Sequence, residues 1–206
     1  MLSNLYMRRF VLGWKKLGHE KRLKAFIVNY ADDLVICSRG RADQARAVMQ
    51  DMMSKLKLTV NEAKTRVCRL PEEKFDFLGY TFGRCYSPET GRSYIGTVPS
   101  KKRIIRICAA IHAETGRNKT PLDQEAVVGT LNRMMIGWAN YFCLGPVSQA
   151  YRAVERHARK RLRQWLCAKH HLSWPATNRF SDVALHDVLG LVRLTTRTRS
   201  FPWATP

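Results

Sequence analysis

Ala25-Phe26-Ile27-Val28-Asn29-Tyr30-Ala31-Asp32-Asp33-Leu34-Val35-Ile36-Cys37 is the stretch on which the reading of this chain turns. Its two apolar runs, 25–28 and 34–37, are rich in β-branched and other large apolar residues and hold no Pro or Gly, so they read as buried strands. The aspartate pair then sits at or beside the turn of a β-hairpin. Adjacent carboxylates repel each other there and lose solvation. A divalent cation offsets that cost, and carboxylate oxygen is a ligand that Mg²⁺ favours. Two-metal enzymes hold such ions roughly 3.5–4 Å apart for in-line attack on a phosphoryl group. A solvated turn is the other reading of the same residues, because Asp accepts turn geometry readily.

Composition narrows the choice. The chain has 206 residues, 45% of them hydrophobic, which suits one large or two small folded domains and excludes a disordered basic tail. A formal charge of +20 repels itself and makes sense against a polyanion. That polyanion is either nucleic acid or an anionic membrane. No apolar run approaches 18 residues, so no bilayer span is expected, and the partners finally expected are nucleic acids with no membrane among them. The first nineteen residues carry no Asp or Glu, and an amphipathic helix explains them better than a Ser-rich targeting segment. Six cysteines lie scattered with no Cys-x-x-Cys pair, which argues against a zinc ribbon and for a reducing compartment. Cys167 and His170 make half a metal site with no second half.

Working outward from the hairpin, residues 4–17 read as a helix with Leu5, Tyr6 and Leu12 as its buried side. Ala45, Val48, Met49, Met52, Met53 and Leu56 recur at three- and four-residue steps and predict an amphipathic helix. Strands are expected at 66–69, 75–82 and 93–98, with a turn at 87–91 and Pro99 ending the third. From Ser100 to His170 the pattern is helical. Thr120-Pro121 reads as a helix start, and Val127, Val128, Leu131, Met134, Met135, Trp138 and Phe142 form the apolar side that follows. Gly145-Pro146 breaks the chain before a last helix from about Val147 to Lys169. The fold class is therefore α+β, with a domain of antiparallel hairpins and helices at 1–98 and an all-helical domain at 99–206.

Between residues 101 and 170, 14 Lys or Arg stand against 4 Asp or Glu. In the last helix Val147, Tyr151, Val154, Ala158, Leu162 and Leu166 form a stripe to be buried. Arg152, Arg156, Arg159 and Arg163, with Lys160 close by, form a second stripe beside it. Like charges so placed destabilise a helix by a few tenths of a kcal/mol per neighbouring pair, and Glu155 is expected to offset part of this at Arg159. A solvated face is the plain reading; the spacing and net charge favour a phosphate-binding face, which the family resemblance given below would assign to RNA. Trp138, Tyr141 and Trp165 are either base-stacking or core aromatics.

Taken in order, these pieces resemble a group II intron-encoded reverse transcriptase and maturase. Tyr30-Ala31-Asp32-Asp33 resembles the family's catalytic box. Leu58-Thr59-Val60-Asn61-Glu62-Ala63-Lys64-Thr65 is similar to its next motif, with Lys64 at the lysine. Phe75-Asp76-Phe77-Leu78-Gly79-Tyr80 resembles the primer-grip segment at the end of the palm. Residues 100–170 resemble the thumb, or X domain, and Pro202-Trp203-Ala204-Thr205 has the look of the family's ending. The resemblance implies RNA-directed DNA synthesis and splicing assistance, with intron RNA, RNA template and DNA primer as partners. It implies Asp32 and Asp33 as catalytic Mg²⁺ ligands, and Tyr30 and Lys64 near nucleotide or template. Leu78, Gly79 and Tyr80 would position the primer. The expected compartment is the cytoplasm of a bacterium or an organelle.

Departures from the family pattern shape the expectation further. The family's fingers, its glycine-containing block and a third metal-binding aspartate belong upstream of the catalytic box. Here only Met1 to Asn29 precede Tyr30, no Asp occurs before Asp32, and no Cys-rich endonuclease module follows the X-like region. The expectation is the C-terminal half of such an enzyme, from a truncated gene, an internal start or a split polypeptide, with a second polypeptide supplying fingers and upstream palm. Such a chain binds structured RNA and polymerises poorly or not at all. A non-catalytic RNA-binding maturase module is the alternative; a basic DNA-binding protein with a chance Tyr-Ala-Asp-Asp leaves the other motifs unexplained.

Overall fold

A computed structural model describes residues 2–31, 33–87, 89–174 and 178–197. Asp32, Pro88 and the Pro202-Trp203-Ala204-Thr205 ending lie outside the described residues. The chain divides into two units, Met1–Arg69 and Leu70–Pro206. The sequence division near Pro99 follows the change from strands to helices; the unit boundary falls earlier and groups a second set of strands with the helices.

The first unit runs α1 (Leu2–Lys16), α2 (His19–Leu23), β1 (Ala25–Tyr30), β2 (Asp33–Ser38) and α3 (Ala42–Lys55). Its core is made by Met7, Phe10 and Trp14 of α1 with Leu23, Ala25 and the Ala45, Met49, Met52 and Met53 stripe of α3. Trp14 Nε1 donates to the Ala25 carbonyl at 3.0 Å and so ties α1 to the start of the hairpin. The helix at α1 is as expected, but its buried side is not. Leu5 and Leu12 are 57% and 55% exposed, and Tyr6 is also exposed. The stripe at 7, 10 and 14 carries two large rings and buries more apolar area than the two leucines would.

β1 and β2 pair antiparallel from Ala25↔Ser38 to Tyr30↔Asp33. The register closes at Tyr30↔Asp33, and Ala31 has φ 53°. Tight hairpin loops need positive φ, which costs an L-residue about 1–2 kcal/mol. The strands are not buried on both sides as their composition suggested. Ile27, Leu34 and Ile36 pack on the core, whereas Phe26, Val28, Tyr30, Asp33 and Cys37 face out.

The second unit opens with a three-stranded meander, β3 (Phe75–Phe77), β4 (Tyr80–Tyr86) and β5 (Ser93–Pro99). Residues 66–69 form no strand, and the continuous strand expected over 75–82 is a hairpin instead. Phe77 pairs with Tyr80, so Leu78 and Gly79 make the turn, with φ of 51° and 83°. Positive φ at both central residues is the geometry that continues the twist of the flanking strands.

Helices α4 (Lys101–Glu114), α5 (Gln124–Tyr141) and α6 (Ser148–Lys169) follow, then a π-helical turn (Ala184–Val188) and α7 (Leu194–Arg197). The start of α5 is Asp123, whose carboxylate accepts from the Glu125 and Ala126 backbone N–H groups; Thr120-Pro121 lies in the preceding loop. All six residues of the predicted α6 stripe are buried, against Ile107 and Ile111 of α4 and Val127, Val128, Leu131 and Met135 of α5. Tyr151 Oη donates to the Ala139 and Phe142 carbonyls at 2.8 and 3.1 Å, and burial pushes its hydroxyl up to about 12. Gly145 has φ 77°, and a Cβ there would overlap the Thr97 carbonyl oxygen, so the α5–α6 loop and β5 meet only because this residue has no side chain. Residues 180–197 then strap over the helices, burying Phe180, Leu185, Leu191 and Leu194.

Candidate carboxylate pair and nucleic-acid interface

In the first unit the hairpin turn sets Asp33 as the first residue of β2, directly across from Tyr30. Both side chains are exposed, the tyrosine by 63%. Lys64 is also exposed, in a turn held by its own backbone N–H donating to Asn61 Oδ1 at 3.2 Å and by Thr65 Oγ1 donating to the Asn61 carbonyl at 2.9 Å. Among the described residues no group of three or more His, Cys, Asp or Glu gathers to hold a metal. The donor chemistry still fits Mg²⁺ in kind. That ion takes hard oxygen, keeps several waters and needs only one or two carboxylates from a protein.

In the second unit the Leu78-Gly79-Tyr80 turn is a braced junction. Tyr141 Oη donates to the Leu78 carbonyl at 2.9 Å, and Ser100 N–H donates to the Gly79 carbonyl at 2.9 Å. Tyr80 is itself buried, packed on Phe142 and donating to the Tyr141 carbonyl at 2.6 Å. Burial holds its hydroxyl above the usual tyrosine range. Tyr80 is thus the anchor of the turn, while Leu78 and Gly79 form its tip.

On α6 the basic stripe splits in two. Arg152, Arg156 and Lys160 are exposed. Arg159 and Arg163, with side chains only 26% and 14% exposed, both pair with Asp182 of the strap. Arg163 gives Nη2 to Asp182 Oδ1 at 2.7 Å and Nε to the Phe180 carbonyl at 2.7 Å. Glu155 does not offset Arg159. It is buried, and its Oε2 accepts from Leu194 N–H at 2.9 Å and Thr195 N–H at 3.3 Å, which pins α7 down. Arg161 caps the end of α4 by donating to the Thr115 carbonyl at 2.8 Å. His157 stands lowered in pKa, chiefly by burial and then by Arg161, and so stays neutral at neutral pH. Trp165 is core, whereas Tyr141 is exposed. Lys101, Lys102, Arg103 and Arg106 at the start of α4 are exposed as well. Their run of cations was readable in the sequence, yet charge counting alone did not separate them from the rest of 101–170.

The first unit carries a hairpin with an exposed carboxylate at the start of its second strand, and the second unit carries helices with cationic outer faces, surfaces whose charge suits nucleic acid. The family model for reverse transcriptase (RNA-dependent DNA polymerase) matches residues 1–82. The model for the group II intron maturase-specific domain matches residues 104–180. The two matches, one after the other along the chain, support a group II intron reverse transcriptase/maturase. The reverse-transcriptase match ends, and the maturase match begins, on either side of Pro99. Comparison with curated proteins returned no match. Polymerases of the reverse-transcriptase family generally use Mg²⁺. No helix among the described residues is long and apolar enough to cross a membrane.

Proposed function

We propose that this chain grips intron RNA through the outer face of α6 and carries the carboxylate end of a nucleotidyl-transfer centre. One observation supports the RNA role above others. Glu155 is the sole acidic residue of α6 and is buried beneath α7, so the exposed side of a 22-residue helix presents Arg152, Arg156 and Lys160 with no carboxylate of its own helix among them. Such a row suits phosphates at successive positions along a backbone. Arg159 and Arg163 belong to the same face but are held by Asp182, so they shape it and contribute less charge to it.

In this reading Asp32 and Asp33 hold Mg²⁺, which when bound would activate the primer hydroxyl and neutralise the triphosphate. Tyr30 and Lys64 lie near nucleotide or template, and the Leu78-Gly79-Tyr80 turn positions the primer. The division into a palm portion at 1–98 and a helical thumb or X portion at 99–206 goes with it. Six cysteines without disulfide bonds accord with a reducing compartment, a bacterial cytoplasm or an organelle.

Two adjacent carboxylates do not by themselves align a primer 3′-hydroxyl with a triphosphate. The 206-residue polypeptide is therefore expected to bind structured RNA and, alone, to extend a primer on an RNA template no better than its Asp32→Ala/Asp33→Ala variant. Extension is expected only when a second polypeptide supplies fingers and upstream palm. Mg²⁺-dependent synthesis by the parent alone, abolished in the double variant, would contradict this. Failure of both proteins to extend even with such a partner, with RNA binding intact, would favour the non-catalytic maturase module.

A further inference from the structure

We propose that Arg103 is a phosphate clamp for the nucleic-acid strand that lies on the Leu78–Gly79 turn; the inference rests on the reading of that turn as primer-binding. A Cβ built on Gly79 would stand 2.9 Å from Arg103 Nε, 3.2 Å from Arg103 Cγ and 3.2 Å from Phe142 Cζ. The arginine stem therefore lies across the bare backbone of the turn, in a space that any larger residue would fill. Only glycine permits that approach, and its φ of 83° points to the same residue.

The position is braced on the surrounding sides. Tyr141 Oη holds the Leu78 carbonyl, Ser100 N–H holds the Gly79 carbonyl, and the Phe142 ring backs the turn. Arg103 is nevertheless an exposed residue, and among the described residues no carboxylate pairs with it. A planar fork of donors whose stem lies along the turn, and which is left without a carboxylate, is matched to an anion that accepts two parallel hydrogen bonds, as phosphate does. It also differs from Arg159, Arg161 and Arg163, whose donors are spent on Asp182, Thr115 and Phe180. Lys101 and Lys102, both exposed, raise the positive potential beside it. A purely structural arginine would have been given a carbonyl or a carboxylate, as those three were.

The test compares two ligands on the full chain by fluorescence anisotropy across a salt series. One is an RNA template annealed to a DNA primer with a recessed 3′ end; the other is a structured RNA without a primer. Arg103→Ala is expected to weaken primer–template binding about tenfold and lower its log–log salt slope by about one, with structured RNA changed by less than about twofold. Arg103→Lys is expected to restore the slope and only part of the affinity, since lysine keeps the charge and loses the fork. Leu78→Asp, which tolerates the left-handed backbone and adds a negative charge at the tip, reports on the turn itself. If Leu78→Asp weakens primer–template binding and Arg103→Ala does not, the clamp is wrong and the primer-binding turn stands. If neither matters, both fall. An equal loss on the two ligands in Arg103→Ala also overturns the clamp, because it would mark a general surface cation.

Discussion

Replacing Arg152, Arg156 and Lys160 together by glutamine is expected to weaken binding of structured RNA by about a hundredfold near 0.1 M salt and to lower the log–log salt slope by about two to three. Each cation that neutralises a phosphate releases condensed counterion, and three such contacts set the size of the slope change. The three side chains stand four residues apart on the exposed face of α6, where each repels the next. Removing them relieves repulsion of a few tenths of a kcal/mol per pair, so the melting temperature should hold or rise slightly. A protein that is at least as stable and yet binds far more weakly separates function from folding. Replacing Arg159 and Arg163 should give the opposite balance. Those residues tie the strap through Asp182 and the Phe180 carbonyl, so stability falls while the salt slope changes less. An unchanged slope in the triple variant would place the phosphate face elsewhere.

Glu155→Ala is expected to destabilise the helical unit by about 3 kcal/mol, on the order of 10 °C in melting temperature. The carboxylate is buried and receives the Leu194 and Thr195 backbone N–H groups and Thr195 Oγ1, with His186 Nε2 3.7 Å from its other oxygen. Alanine strands those donors at the start of α7. It also loosens a strap that buries Leu185, Leu191 and Leu194, each at most 2% exposed. Glu155→Gln keeps an acceptor for the same donors and should recover about half of the loss. Thermal and urea denaturation followed by circular dichroism would measure both. A shift of the alanine variant within error of zero would mean that the strap holds without Glu155.

What the sequence revealed and what it hid divide along the range of the interactions involved. The α6 stripe was legible because one helix face repeats at three and four residues and all six positions point into one core. The Asp32–Asp33 hairpin was legible because two short apolar runs flank a polar turn. In α1 two apolar stripes interleave, Leu5 and Leu12 against Met7, Phe10 and Trp14, and periodicity alone does not say which one meets a partner. Leu78-Gly79 hid inside a strand-like run because tight hairpin turns usually announce themselves with Asn or Asp, not leucine. The fate of Arg159, Arg163 and Glu155 depends on residues 180–197, a segment of short turns without a long amphipathic pattern. Those pairings span 17 to 40 residues of sequence, beyond the reach of any local signal.

Ultraviolet crosslinking of the chain to structured RNA, with the modified peptides mapped by mass spectrometry, tests the central claim most directly. Crosslinks should concentrate on peptides carrying Arg152, Arg156 and Lys160 and should fade in the glutamine variant. Crosslinks confined to residues 1–69, with α6 peptides unmodified, would contradict the assignment of α6 as the face that grips RNA.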